Sequence, residues 1–170
     1  MHNPFFLRIF APRIEMQMTK FKYQNEIDAL VAFGCQLPEL YAPNGIPACR
    51  FAFSNSGRQN HVPQYVASPK RMLLDIGKNK ASTSLLALSC FDTAVHAETF
   101  YQNLKKAFHN ISSAIGDSLS EGSLTDADGK KTATSANGHF DFYEYEGCDL
   151  NKTFLITKDL NNNDEEDKRI

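Results

Sequence analysis

The sequence predicts an α+β fold: a mixed or mostly antiparallel sheet of about four strands, one long helix at 93–115 packed on one face, and a smaller N-terminal helix. Three observations predict it. Phe100, Leu104, Ala107, Phe108, Ile111 and Ile115 recur at three- and four-residue steps, drawing one apolar stripe along a helix. Directly before them, residues 84–91 (SLLALSCF) form a short continuous apolar run, the pattern of a strand buried on both faces. Residues 139–146 (HFDFYEYE) are dense in aromatics, which favour strands.

Taken along the chain, residues 23–33 read as the smaller helix, with Ile27, Leu30 and Val31 inward and Gly34 as its stop. Pro38, Pro43, the pair Asn44-Gly45 and Pro47 make an irregular link to a strand at 48–54, whose sequence ACRFAFS alternates. Ser68-Pro69 is placed to cap and open a short helix through Ile76, since proline is tolerated in a first helical turn. The run at 84–91 then leads into the long helix. Asp92 or Thr93 accepts amides at its start, Lys105, Lys106 and His109 lie at the favourable end of its dipole, and Gly116 caps its end. Residues 117–138, rich in Ser, Thr, Asp, Gly and Lys, read as a long loop. The strand at 139–146 puts Phe140, Phe142, Glu144 and Glu146 on one face and His139, Asp141, Tyr143 and Tyr145 on the other. A further strand at 153–157 follows a short connection, so these two are expected to form a hairpin.

At 170 residues and 42% hydrophobic, the chain buries one core without staples. The expected division is an N-terminal extension at 1–17, one globular domain at 18–160, and a disordered acidic tail at 161–170. Four widely spaced cysteines (Cys35, Cys49, Cys90, Cys148) form no CxxC pair, so they read as reduced and structural, which implies a cytoplasmic location. No stretch approaches the ~20 apolar residues that span a bilayer, so no membrane partner is expected.

The net charge of −2 argues against a dedicated duplex-binding protein. Charge is nonetheless uneven. Arg50, Arg58, Lys70, Arg71, Lys78 and Lys80 face a single acid, Asp75, between positions 50 and 80, whereas 141–170 holds nine acids against four bases. The chain lacks a phosphate loop, GxGxxG, HExxH and GxSxG, and its histidines have no ligand spacing, so no metal is expected. The segment TDADG at 125–129 fails as a calcium loop, because Leu124 and Ser135 stand where its first and last ligands belong.

Two constellations carry chemistry. Arg50, then Ser82, Thr83 and Ser84, then Glu144 and Glu146 together resemble the arginine, STS and ExE signature of mono-ADP-ribosyltransferases. The resemblance implies that Arg50 binds the phosphates of NAD, that Ser82, Thr83 and Ser84 shape the nicotinamide pocket, that Glu144 helps activate the acceptor, and that Glu146 stabilises an oxocarbenium-like state. The second cluster is Arg58, His61, Lys70 and Arg71 around Tyr65, residue types that bind phosphate and stack a base of a nucleotide or nucleic acid. Aromatic patches (Phe5, Phe6 and Phe10, or Tyr143 and Tyr145) point to contact with another chain. The leading expectation is a non-catalytic protein that binds another protein chain or itself. It needs no cofactor, NAD entering only with the transferase resemblance.

Overall fold

The computed structural model describes residues 19–55 and 57–162. The expected extension at 1–17, its Phe5, Phe6 and Phe10, and positions 163–170 of the expected tail lie outside the described residues. Within them the chain is α+β, and its six strands form one antiparallel sheet. The strands are β1 (Ile46–Ala52), β2 (Leu88–Phe91), β3 (Ser118–Leu124), β4 (Gly129–Lys131), β5 (His139–Glu144) and β6 (Leu155–Asp159), in the order β4-β5-β2-β1-β3-β6.

Strand alternation divides the apolar residues between the two faces. On one face Cys49, Phe51, Phe91 and Leu119 pack with helices α4 (Ala94–Ala107) and α5 (Ile111–Ile115) through Ala97, Phe100, Tyr101, Leu104 and Ile111. On the other, Ala48, Leu88, Cys90, Leu124, Phe140 and Phe142 are covered by Cys148, Leu150 and Phe154. A third cluster joins Ile27 and Leu30 of α1 (Gln24–Ala32), Tyr65 of α2 (Gln64–Ala67), and Leu86 and Ala87 to Tyr143 of β5.

Four expectations are corrected. The helix expected at 93–115 is two. Thr93 Oγ1 accepts the His96 amide at 3.2 Å and starts α4, but Phe108 adopts extended angles (φ −135°, ψ 109°) and stands exposed. The chain then turns so that Ile111 of α5 reaches the sheet. The run at 84–91 is strand only from Leu88. Its first half is a 3-10 turn, Thr83–Leu86, begun by Ser82 Oγ accepting the Ser84 amide.

The loop expected at 117–138 holds β3 and β4. The sequence of β3, SLSEGSL, looks polar because small residues are needed there: a side chain on Gly122 would meet the Phe154 ring at 2.5 Å, and Ser120 Oγ donates to the Arg50 carbonyl at 3.1 Å. Finally, β5 and β6 form no hairpin. β5 pairs with β2 and β4, and β6 with β3, so the connection at 145–154 crosses the sheet and supplies the cover of its second face.

The junction of α5 and β3 is closed by Tyr101, whose buried hydroxyl donates to the Gly116 carbonyl at 3.0 Å. Tyr101→Phe strands that carbonyl at the cost of one buried hydrogen bond, about 1 kcal/mol. A melting temperature lower by about 3 °C is expected for a chain of this size, and an unchanged one would show that water replaces the hydroxyl.

Candidate functional site

The structure offers two candidate places, and the residues singled out in the sequence fall only partly within them. The first is a buried polar brace on the second face. Alternation along β1 turns Arg50 to the same face as Ala48, and the side chain is enclosed. Its Nε donates to His61 Nδ1 at 3.2 Å, and its Nη1 donates to the Ser89 carbonyl at 2.5 Å and points to Cys90 Sγ at 3.9 Å. An accepting Nδ1 carries no proton, so His61 is neutral. Burial first, and the Arg50 charge second, push its pKa down to about 4. Its ring meets Phe154 edge-on with centroids 5.5 Å apart.

Glu144 lies on this face too. Its Oε1 accepts Lys22 Nζ at 3.2 Å, and that ammonium also donates to the Cys148 carbonyl at 3.1 Å. Oε2 is buried without a hydrogen bond among the described residues. Burial raises the carboxyl's pKa, against the pull of Lys22 and Arg50. Burial also lowers that of Lys22, but there the charge and hydrogen bond of Glu144 outweigh it and the net shift is upward, so Lys22 stays charged.

Thus Arg50 and Glu144 share one face within reach of each other's field. The remaining residues of the triplet are placed elsewhere. Ser82 caps the 3-10 turn and bonds Ser84. Thr83 is buried, donating to the Gln36 carbonyl at 2.8 Å and accepting from Tyr143, which points away from Glu144's face. Glu146 lies past the end of β5 and is exposed.

The second cluster also separates. His61 belongs to the brace, Arg58 donates to the Ser113 carbonyl at 2.8 Å with its guanidinium 4.5 Å from the centre of the Phe53 ring, and Arg71 pairs with Asp75 at 3.5 Å. Lys70 is exposed. Of the aromatic patch expected from Tyr143 and Tyr145, Tyr143 is buried and Tyr145 stacks on Phe21 at 5.3 Å.

The second place was not singled out. Helix α3 (Pro69–Gly77) buries none of its nine residues, yet carries Leu73 and Leu74, which are 67% and 60% exposed. Pro69 opens it as the sequence predicts, but Ser68 stands at its N-cap without a side-chain capping bond. Met72 and Ile76 on its inner flank are half-buried against the third cluster, so its apolar residues exceed what its inner side can cover. Beside it α1 stops at Ala32 and the chain turns away at Gly34 (φ +94°), leaving Phe33 69% exposed. Val31, expected inward, is also exposed, because α1 turns only Ile27 and Leu30 to the core.

Between the two helix ends lies a groove of about 300 Å³ lined by Phe33, Gly34, Cys35, Ile76, Asn79 and Ala81. Leu73 lies about one turn before Ile76 on α3 and is exposed beside the groove rather than lining it. Asp75 is already engaged by Arg71 and by the Tyr65 hydroxyl at 3.0 Å, whereas Lys70, Lys78 and Lys80 are exposed and have no acidic partner among the described residues. The signal in the sequence was a short helix apolar on more than one side, next to an excess of base.

A second hollow of about 340 Å³ lies by Pro43, Ile46 and Pro47. Its charged groups are occupied, Lys131 by Thr132 and Thr134 and Asp92 by His96. Among the described residues no His, Cys, Asp and Glu side chains gather to hold a metal, and no helix is long and apolar enough to cross a membrane. Compared with protein-family models, curated proteins and solved structures, the chain matches none.

Proposed function

We propose that this chain works by binding another protein, and that the surface formed by α3 and the end of α1 is where it does so. One observation carries the reading: a nine-residue helix with no fully buried residue holds two leucines in water near the exposed Phe33 at the end of α1. Large apolar groups gathered on a surface are stabilised by covering them, and aromatic residues are enriched where proteins meet. The buried Arg50, His61 and Glu144 are read as a brace for the sheet, since each is enclosed by the fold.

Leu73→Ser combined with Leu74→Ser is expected to leave folding stability within about 0.5 kcal/mol, because neither side chain packs in the core. The same pair lowers affinity for the natural partner at least tenfold, about 1.4 kcal/mol. The check is a complex purified from the source cells, reconstituted from its separate components and titrated by calorimetry with both forms of the chain. A native protein that purifies without a stoichiometric partner, or a variant that binds equally well, rules the reading out.

A further inference from the structure

We propose that the partner presents an acidic peptide segment with aliphatic anchors, the anchors entering the groove between α1 and α3 and the carboxylates meeting Lys70, Lys78 and Lys80. This rests on the protein-binding reading above and names the chemistry of what binds. Charge is the first argument. The chain as a whole is net acidic at −2, yet α3 and the turn after it carry Lys70, Arg71, Lys78 and Lys80, and the one acid of that segment, Asp75, is held by Arg71 and Tyr65. Exposed ammonium groups with no acidic partner among the described residues raise the local concentration of an acidic ligand and select against a basic one.

Shape is the second argument. The apolar groups are not a flat sheet of side chains: Phe33, Ile76 and Ala81 line a groove together with Gly34, Cys35 and Asn79, and Leu73 lies one turn before Ile76 on α3. A protruding side chain fills such a groove, while a flat lipid surface leaves it empty. A second copy of the chain is disfavoured, because a two-fold contact at this face would set the lysines of one copy against those of the other. Free phosphate is disfavoured because no charged side chain lines the groove and no group of these cations converges on a shared partner among the described contacts.

The test is a peptide-display selection of random 16-residue peptides on the full chain, with counter-selection on the full-length variant carrying Phe33→Ser and Leu73→Ser. Fluorescence anisotropy of the enriched peptides follows, together with sedimentation with vesicles of phosphatidylcholine and phosphatidylserine. The expected result is enrichment of net acidic peptides with aliphatic residues three or four apart, whose affinity weakens as salt rises and falls at least tenfold in Leu73→Ser and in the pair Lys78→Glu and Lys80→Glu. Exchanging glutamates for lysines in the peptide should restore binding to that charge-reversed protein. Enriched peptides that are neutral or basic, need Leu73 and ignore salt would overturn the acidic partner while leaving the protein-binding reading intact. Selection of no Leu73-dependent peptide, or Leu73-dependent binding to vesicles alone, would overturn both.

Discussion

Gly116→Ala is expected to lower the unfolding free energy by about 4 kcal/mol, the sum of a backbone cost and a steric one. Gly116 sits between α5 and β3 with φ +124° and ψ 159°, a region only glycine occupies readily. A β-carbon there would stand 2.4 Å from the Ala52 carbonyl oxygen, 2.7 Å from its carbon and 2.9 Å from its nitrogen. All three are main-chain atoms of β1, so no rotamer change relieves the overlap. The adjacent bonds share the strain, since Asp117 N donates to Ala52 O at 3.0 Å and Tyr101 donates to Gly116 O. Gly34→Ala is the control: φ is +94° but a β-carbon meets nothing within 4 Å, so only the backbone cost of about 1 kcal/mol applies. Urea unfolding of the three proteins measures the difference. A loss in Gly116→Ala no larger than in Gly34→Ala would show that β1 moves aside freely.

Acidification is expected to weaken the fold through His61. Its folded-state pKa of about 4 lies below the ordinary 6.5, so the unfolded chain binds the proton more tightly. The stability it contributes is present above pH 6.5 and is lost as pH falls toward 4, in total about 3 kcal/mol. The cause is structural: a proton on Nδ1 would remove the Arg50 hydrogen bond and set two buried cations together. Glu144 slopes the other way. Its raised pKa favours the protonated folded form, so its contribution is full at low pH and declines as pH rises above 4.5.

His61→Asn separates the two, because His61 has φ +56° and asparagine tolerates that conformation. Denaturant unfolding from pH 4 to 7 should give a variant profile flatter than wild type by about 3 kcal/mol, with the opposing slope of Glu144 left in place. Profiles that run parallel would mean that the histidine is already solvated in the folded chain.

Much of the architecture was legible because the hydrophobic pattern dictates it. Ile27 and Leu30, the alternation of Phe140 and Phe142, the cap at Thr93 and the proline opening α3 all answer to local rules. What stayed hidden depends on neighbours far away in sequence. SLSEGSL is a strand because β1 and β6 flank it and the Phe154 ring lies over Gly122. Phe108 looked like part of a stripe, but a helix that stops at Ala107 leaves it in water.

At the candidate sites the same division holds. The alternation that put Glu144 and Glu146 on one face holds only while the strand lasts, and β5 ends at Glu144. Arg50 could be assigned to a strand, but its partner His61 sits at a left-handed position in an irregular link, which no periodicity reveals. The apolar surplus of α3 was present in its sequence, and only the packing of Met72 and Ile76 shows which leucines are left over.

Seven residue pairs join β1 to β3 and four join β2 to β5, but a single pair, Cys49 with Phe91, joins β1 to β2. The sheet is therefore two three-stranded leaves meeting along a thin seam, and the Arg50 guanidinium, reaching from one leaf to the Ser89 carbonyl of the other, acts as its rivet. Strain applied to either leaf concentrates along that line, where one side chain stands in for a missing stretch of backbone ladder.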